Sequence, residues 1–364
     1  MKPRPPGAAC AHPDAAGGTG AAGRRTLLKC QACVAFGMLL SLTSAALLRG
    51  WDRQQQQQQQ QRQLAVACPQ APRAAAQRAA NASLAAASSQ PRPQVVPELP
   101  ATGELVFPGV AAAVLAAERE GRGRSVISMA LYGAQARFTD GALDNALLVR
   151  RDWGNWTLRV YVGDGVPEGT LTALQALGAE LVRVTSNQRG AAGMFWRFYV
   201  LEDRTVSRFI IRDADSRLTR RDRAAVDEWV ASGAFFHTLH DNPYHSTPVM
   251  GGMWGAVNGL VSPRIIAEWR DADAKNSPTY TLGNDQAWLA GSLWPHVKNF
   301  TLQHASFQCG AYGAREFRGF PTKRESMQDF VGNIYVRENE FLGMNLTQSE
   351  CPAQCRRHAS WTAC

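Results

Sequence analysis

The amino-acid sequence predicts an α/β fold: a mostly parallel sheet flanked by helices, preceded by a transmembrane helix and a disordered stem. Three observations lead there. Trp, Tyr and Phe are concentrated from Ser125 onward, whereas residues 1–120 are rich in Ala, Gln, Pro, Gly and Ser. Beyond Ser125, nearly continuous apolar runs alternate with stretches of helical periodicity, the pattern of a parallel sheet covered on both faces. Residues 30–48, CQACVAFGMLLSLTSAALL, carry no charge and have about the length, roughly 20 residues, that crosses a bilayer core as a helix.

Lys2, Arg4, Arg24, Arg25 and Lys29 precede that apolar stretch, against one acid, Asp14. The positive-inside rule then leaves residues 1–29 as a cytosolic tail and makes 30–48 a signal anchor. The rest of the chain would face the lumen of the Golgi or ER, as in a single-pass type II membrane protein. The alternative is a cleaved signal peptide, which has small residues around Ala46 in its favour and the long charged preamble against it.

Residues 49–120 read as the stem. Gln54 to Gln61 is an uninterrupted glutamine run, and NASLAAASSQPRPQVVPELP cannot bury enough apolar surface to offset its ordering entropy. Residues 121–364 remain as one lumenal domain. Asn81, Asn155, Asn299 and Asn345 each open an Asn-x-Ser/Thr sequon. Cys68, Cys309, Cys351, Cys355 and Cys364 follow the apolar stretch. In an oxidising lumen they form disulfides, with Cys68 the candidate left over. The alternative is a zinc site built from the last three with His358.

The formal charge is +9, but the basic residues are scattered and no nucleic-acid motif is present. Nucleic acid is therefore not an expected partner, while phosphate-bearing ligands remain open.

Within the domain, SVISMALYG from Ser125 is the first strand. TDGALDNALLVRR is a helix with Thr139 as its N-cap and Leu143, Ala146, Leu147 and Arg150 at helical spacing. TLRVYVGDG is a strand. PEGTLTALQALGAE is a helix placing Leu171, Leu174 and Leu177 on one face and stopping at Gly178. LVRV is a short strand, GMFWRFYVLED a helix, and VSRFIIRD the fourth strand. Thr219 then caps a helix through Ala225, Val226 and Trp229 that ends near Gly233.

The stretch RFIIRDADSRLTRRD, from Arg208 to Asp222, ends an apolar strand in two acids, Asp213 and Asp215. Ligands of such sheets sit beyond the carboxyl ends of the strands. Two carboxylates one residue apart repel unless something neutralises them. Oxygen ligands suit Mn²⁺ or Mg²⁺, and such an ion keeps positions open for substrate phosphates. The alternative is an exposed turn balanced by Arg212 and Arg217; Arg217 also qualifies as a phosphate contact.

RDADS at a strand end resembles the DxD motif of glycosyltransferases with the nucleotide-diphospho-sugar transferase (GT-A) fold. GMFWRF resembles the helix that carries an arginine toward the donor in mannosyl- and glucosyltransferases of this kind; that arginine is Arg197 here. GNDQAWL resembles the Asp-Gln segment after the DxD in the glycogenin and galactinol synthase group, and LQHASF the late histidine that completes the metal shell. The resemblance spans about Ser125 to Val336. It implies a hexose transferred from a nucleotide-diphosphate sugar to a hydroxyl of a glycan, protein or lipid. It also implies metal ligands Asp213, Asp215 and His304, a donor contact from Arg197, and Asp285 with Gln286 near the acceptor.

LHDNPYHSTPVMGGMWG, from Leu239 to Gly255, adds His240, Asp241 and Trp254 in a glycine-rich loop. Aromatic rings offer a sugar an apolar face, and glycines allow close approach. Asp285 and Asp241 are the candidate general bases, with a helix N-cap as the other reading of Asp285. Two other classes compete. A metal-dependent phosphohydrolase needs a further Asp/His cluster; a non-catalytic glycan- or nucleotide-sugar-binding relative needs only the pocket.

Overall fold

A computed structural model of the chain describes residues 92–185, 190–267, 283–326, 328–337, 340–341 and 350–364. The expected cytosolic tail, the expected anchor at 30–48, Cys68 and the sequons at Asn81 and Asn345 lie outside these residues. Among the described residues no helix is long and apolar enough to cross a membrane. Pro91–Cys364 forms one compact unit.

Its centre is an eight-stranded sheet. The strands are β1 (Ser125–Leu131), β2 (Trp156–Val162), β3 (Glu180–Arg183), β4 (Arg208–Ile211), β5 (Phe236–His240), β6 (Trp254–Val257), β7 (Thr301–Ala305) and β8 (Glu316–Arg318). Their order across the sheet is β3-β2-β1-β4-β6-β5-β7-β8. All neighbours run parallel except β6, which is antiparallel to both β4 and β5. The expected mostly parallel α/β sheet is present. A hairpin of β9 (Tyr335–Arg337) and β10 (Glu340–Phe341) stands apart from it.

Both faces of the sheet are covered, which explains the continuous apolar runs. Successive side chains alternate between two cores. Ile127, Met129, Leu131 and Ile210 pack with Trp153 and Trp229 on one side, and Val126, Phe209, Ile211 and Trp254 with Phe198 on the other. The first side is covered by α2 (Ala136–Asp152), α3 (Glu168–Ala176) and α4 (Arg220–Ser232). The opposite side receives α1 (Pro108–Arg119) and the turns of Gly190–Glu202.

The expected caps of α4 are in place. The Thr219 hydroxyl accepts from the Asp222 amide at 3.2 Å, and Gly233, at φ 72°, closes the helix in the left-handed region.

Three expectations change. The stem does not extend to residue 120. Val95 and Val96 are buried, both amides bond to the Arg204 carbonyl, and α1 buries Ala111, Val114, Leu115 and Ala117. Glu118 also pairs with Arg208 of β4 at 2.9 Å. An Ala-rich helix resembles low-complexity chain in composition, and only its packing separates the two.

Thr139 is not a cap. Helix α2 starts a turn earlier, at Ala136, and the Thr139 hydroxyl bonds back to the carbonyls of Gln135 and Ala136, as threonine does inside helices. The stretch Gly190–Glu202 winds as a 3₁₀ helix rather than an α-helix. Residues three apart eclipse in that geometry, and Phe195 and Phe198 meet edge-on at 6.0 Å.

The late cysteines pair as Cys309–Cys355 and Cys351–Cys364, so the expected disulfides are present. No thiolate is left for the zinc alternative, and His358 packs instead on Trp361.

Arg212 and Asp222 form a fully buried bidentate pair, at 2.8 and 2.7 Å, that joins the end of β4 to α4. Removing one partner leaves a buried charge unmatched. Asp222→Ala is expected to lower unfolding free energy by about 3–5 kcal/mol, measured by urea denaturation; a loss near zero would show that the pair contributes nothing.

Candidate active site

The fourth strand ends at Ile211, and the chain turns through Asp213, Ala214 and Asp215. Asn145 of α2, fully buried, holds that turn: its amide donates to the carbonyls of Ala214 and Ser216, and its oxygen accepts from the Leu218 amide. Gly141 of the same helix packs so closely that a Cβ there would overlap the Ala214 carbonyl. Neither residue was singled out in the sequence, where both read as ordinary positions on an amphipathic helix.

The arginines flanking the acids do not neutralise them. Arg212 is consumed by Asp222. Arg217 pairs with Asp144 at 2.8 Å and lies over the Tyr335 ring, in a groove shared with Leu147 and Arg150. Arg197 pairs with Asp213 instead, and through its other terminal nitrogen with Asp285 at 2.8 Å. Burial opposes its charge, but the two carboxylates outweigh this and raise its pKa above the ordinary value. Arg137, which the sequence reading passed over, approaches Asp215 to 3.8 Å.

Asp215 is the more enclosed of the two acids, at 11% side-chain exposure against 42% for Asp213. Its carboxyl is pushed up to about 6, first by burial and then by the charge of Asp213, against the pull of Arg137 and Arg197. Burial and a neighbouring like charge are both causes that raise a carboxyl.

Gly251 and Gly252 form the facing wall. A Cβ on Gly252 would overlap the Asp213 carboxylate, and one on Gly251 the Asp285 carboxylate. Backbone alone fits there.

Arg197, Asp213, Asp215, Asp285 and Gln286 share one cavity of about 330 Å³, within the range of ligand pockets. Asp285 lies in the first turn of α5 (Asn284–Trp288) rather than at its cap, which is Gly283. One of its oxygens faces Arg197 and the other accepts from the Gln286 amide at 2.9 Å. The Gln286 side-chain oxygen is buried and has no partner among the described residues.

Five expected site residues do not line this cavity: Arg217, held by Asp144, and four others. His304 is fully buried, with one ring nitrogen 2.8 Å from His237 and the other 3.1 Å from Glu228. Both ring nitrogens are engaged, so it completes no metal shell with the two aspartates. Asp241 is equally buried, clamped by Arg221 at 2.7 Å and Arg324 at 2.9 Å, and accepts from Ser306 and the Val331 amide. Those bonds make it a structural hub rather than a base. His240 bonds to the Thr247 carbonyl and Gln303, and Trp254 fills the core against Phe209 and Phe236.

The cavity instead gains Tyr244 and His245 from the same loop. Burial first, and then the neighbouring His240, lower the His245 pKa to about 3.

The donor set fits a hard cation in part. Among the described residues no group of three or more His, Cys, Asp or Glu is placed to hold a metal. The chain offers two carboxylates, leaving other positions to water and substrate oxygens, as Mg²⁺ and Mn²⁺ sites on phosphate substrates do.

No family model and no curated protein matches the chain. Partial likenesses exist among solved structures. The mannosyltransferase PcManGT from Pyrobaculum calidifontis, in complex with GDP-Man and Mn²⁺, is 17% identical; the match covers 44% of this chain and 58% of that one, with TM-score 0.29. Glucosyl-3-phosphoglycerate synthase from Mycobacterium tuberculosis, in complex with Mn²⁺, UDP and phosphoglyceric acid, is also 17% identical, covering 41% and 60% with TM-score 0.29. The glycosyltransferase GlyE of Streptococcus pneumoniae is 15% identical, covering 53% and 49% with TM-score 0.33. The chain spans less than two-thirds of the length of each. At these scores the likeness is partial, and the functional reading rests on the site itself.

Gly252→Ala is expected to displace Asp213 and weaken Mn²⁺ binding about 10- to 100-fold, the scale of disturbing what orients a metal ligand. Calorimetric titration of Mn²⁺ checks this, with circular dichroism confirming the fold; unchanged affinity would mean that Asp213 is not a ligand.

Proposed function

We propose that this chain is a metal-dependent glycosyltransferase that moves a hexose from a nucleotide-diphosphate sugar to an acceptor hydroxyl. The observation that carries the reading is the pair Asp213 and Asp215 beyond the carboxyl end of β4, with the Asp215 carboxyl raised to about 6 inside a ligand-sized cavity. Asp213 and Asp215 would hold Mn²⁺ or Mg²⁺. When bound, the cation offsets the charge that develops on a departing diphosphate.

Arg197 lines the cavity, and its guanidinium has N–H groups beyond the two bonds it makes, so a donor contact stays part of the reading. Its terminal nitrogens are tied to Asp213 and Asp285, so it also positions the carboxylates. Asp285 keeps lone pairs beyond those two bonds and can accept from an acceptor hydroxyl. The unpartnered Gln286 oxygen offers a second acceptor of the same kind.

The cellular reading is a Golgi or ER membrane protein of type II topology with its transferase domain in the lumen. The two disulfides support an oxidising compartment. The sequons at Asn155 and Asn299 are exposed, and residues 30–48 supply the anchor.

Calorimetry with UDP and GDP tests the activity. Binding is expected only with Mn²⁺ or Mg²⁺, and Asp215→Asn is expected to abolish it. Because the cation must displace the Asp215 proton, affinity is expected to fall about tenfold per pH unit below about 6 and to level off above it. A folded chain that binds neither nucleotide would sink the proposal, and one that binds donor sugars without ever turning them over would favour the non-catalytic alternative. Topology has its own check. Endoglycosidase should shift the mobility of the expressed chain, and replacing Asn155 and Asn299 by Gln should reduce that shift; an unglycosylated chain would place the domain on the cytosolic side.

A further inference from the structure

The turn Asn242–Ser246 holds an aromatic ring at the cavity mouth. Tyr244 lines the cavity yet is 63% exposed, one of the few large apolar side chains left in solvent among the described residues. The turn beneath it is braced. The Tyr244 amide donates to the Asn242 side-chain oxygen at 2.9 Å, the His245 amide to the Asn242 carbonyl, and the Ser246 amide to the Tyr244 carbonyl. Gln308 donates to the carbonyls of Asn242 and Pro243, and the Tyr312 hydroxyl to the carbonyl of His245. The ordering cost of presenting the ring is therefore met before any ligand arrives.

His245, next in the chain, lines the same cavity but is 7% exposed. Its Nδ1 lies 3.0 Å from the Asp241 amide. A backbone N–H can only donate, so Nδ1 accepts and the ring proton sits on Nε2. Asp241 cannot shift, because Arg221, Arg324, Ser306 and the Val331 amide grip its carboxylate. Burial keeps the imidazole neutral down to a pH of about 3.

We infer that Tyr244 and His245 form the acceptor subsite and that its ligand is a neutral pyranoside. The C–H face of the pyranose packs on the Tyr244 ring, and a ring hydroxyl oxygen accepts from His245 Nε2–H. An aromatic face and a fixed neutral donor side by side match a sugar, which presents an apolar face edged with hydroxyls. A nucleobase would also stack on tyrosine, but the topology points elsewhere. The parallel strands β3-β2-β1-β4 make the half-sheet whose carboxyl edge suits a nucleotide. Tyr244 follows β5, on the other side of β4 and β6. The inference deepens the glycosyltransferase reading and rests on it.

Saturation-transfer NMR on the full-length chain tests it, with Mg²⁺ and the nucleoside diphosphate it prefers bound. The probes are methyl α-mannopyranoside, methyl β-glucopyranoside and methyl β-galactopyranoside. At least one is expected to be saturated at its ring C–H protons. Tyr244→Ala should weaken that glycoside about 5- to 10-fold, Tyr244→Trp should retain it, and the nucleotide should bind both variants like the wild type. Because Tyr244 is exposed, its replacement leaves the core intact. A wild-type chain that binds nucleotide but none of the glycosides, or a Tyr244→Ala chain that binds them unchanged, overturns the inference and leaves the transferase reading standing. A wild-type chain that takes no nucleotide overturns that reading. Glycoside binding that still depends on Tyr244 would then support the saccharide subsite alone.

Discussion

Negative charge gathered at one edge of a sheet is the constraint around which this molecule is arranged. Asp213, Asp215 and Asp285 line one cavity, and Asp222 and Asp241 are fully buried. Most of these acids are paired with arginine: Arg197 is shared by Asp213 and Asp285, Arg212 serves Asp222, and Arg221 with Arg324 serves Asp241. Buried pairs of this kind add little net stability, but breaking one is costly. Their effect is to fix geometry. Asp215 is the exception, because its nearest cation stands 3.8 Å away.

The same device reaches the far end of the domain. Asp241 ties the loop after β5 to Ser306 after β7 and to the stretch around Arg324 and Val331. Phe330, Gly332 and Asn333 of that stretch line the cavity. Arg221 extends the cluster to the carbonyls of Thr322 and Cys364, so the disulfide-bonded segment is fastened beneath the pocket.

What could be read from the sequence was what depends on local chemistry. The apolar runs, the Thr219 cap, the Gly233 stop and the strand-end acids are short-range patterns, and each sits as expected. The resemblance placed Arg197, Asp285 and Gln286 in one site, and the cavity contains them. The misplaced residues failed for a non-local reason. His304, His240, Asp241 and Trp254 are chemically suited to a site, but all four are buried by elements distant in sequence. Conversely, Asn145 and Tyr244 look ordinary in sequence and matter because of what packs around them. Helix α1 was hidden by its composition: alanine covers a core as effectively as it fills a linker, and only β4 and β6 beside it decide which.

The Asp241 cluster also has a bearing on how the molecule is made. Synthesis delivers Arg221 and Asp241 together, but Ser306, Arg324 and Val331 follow Asp241 by 65, 83 and 90 residues. The Cys364 carbonyl follows Arg221 by 143. While a ribosome is still extending the chain, the two early charges have only each other. The loop that carries Tyr244 and His245 cannot be locked until the later segments have emerged and been oxidised. A truncated nascent chain therefore carries the acidic strand end without the finished pocket.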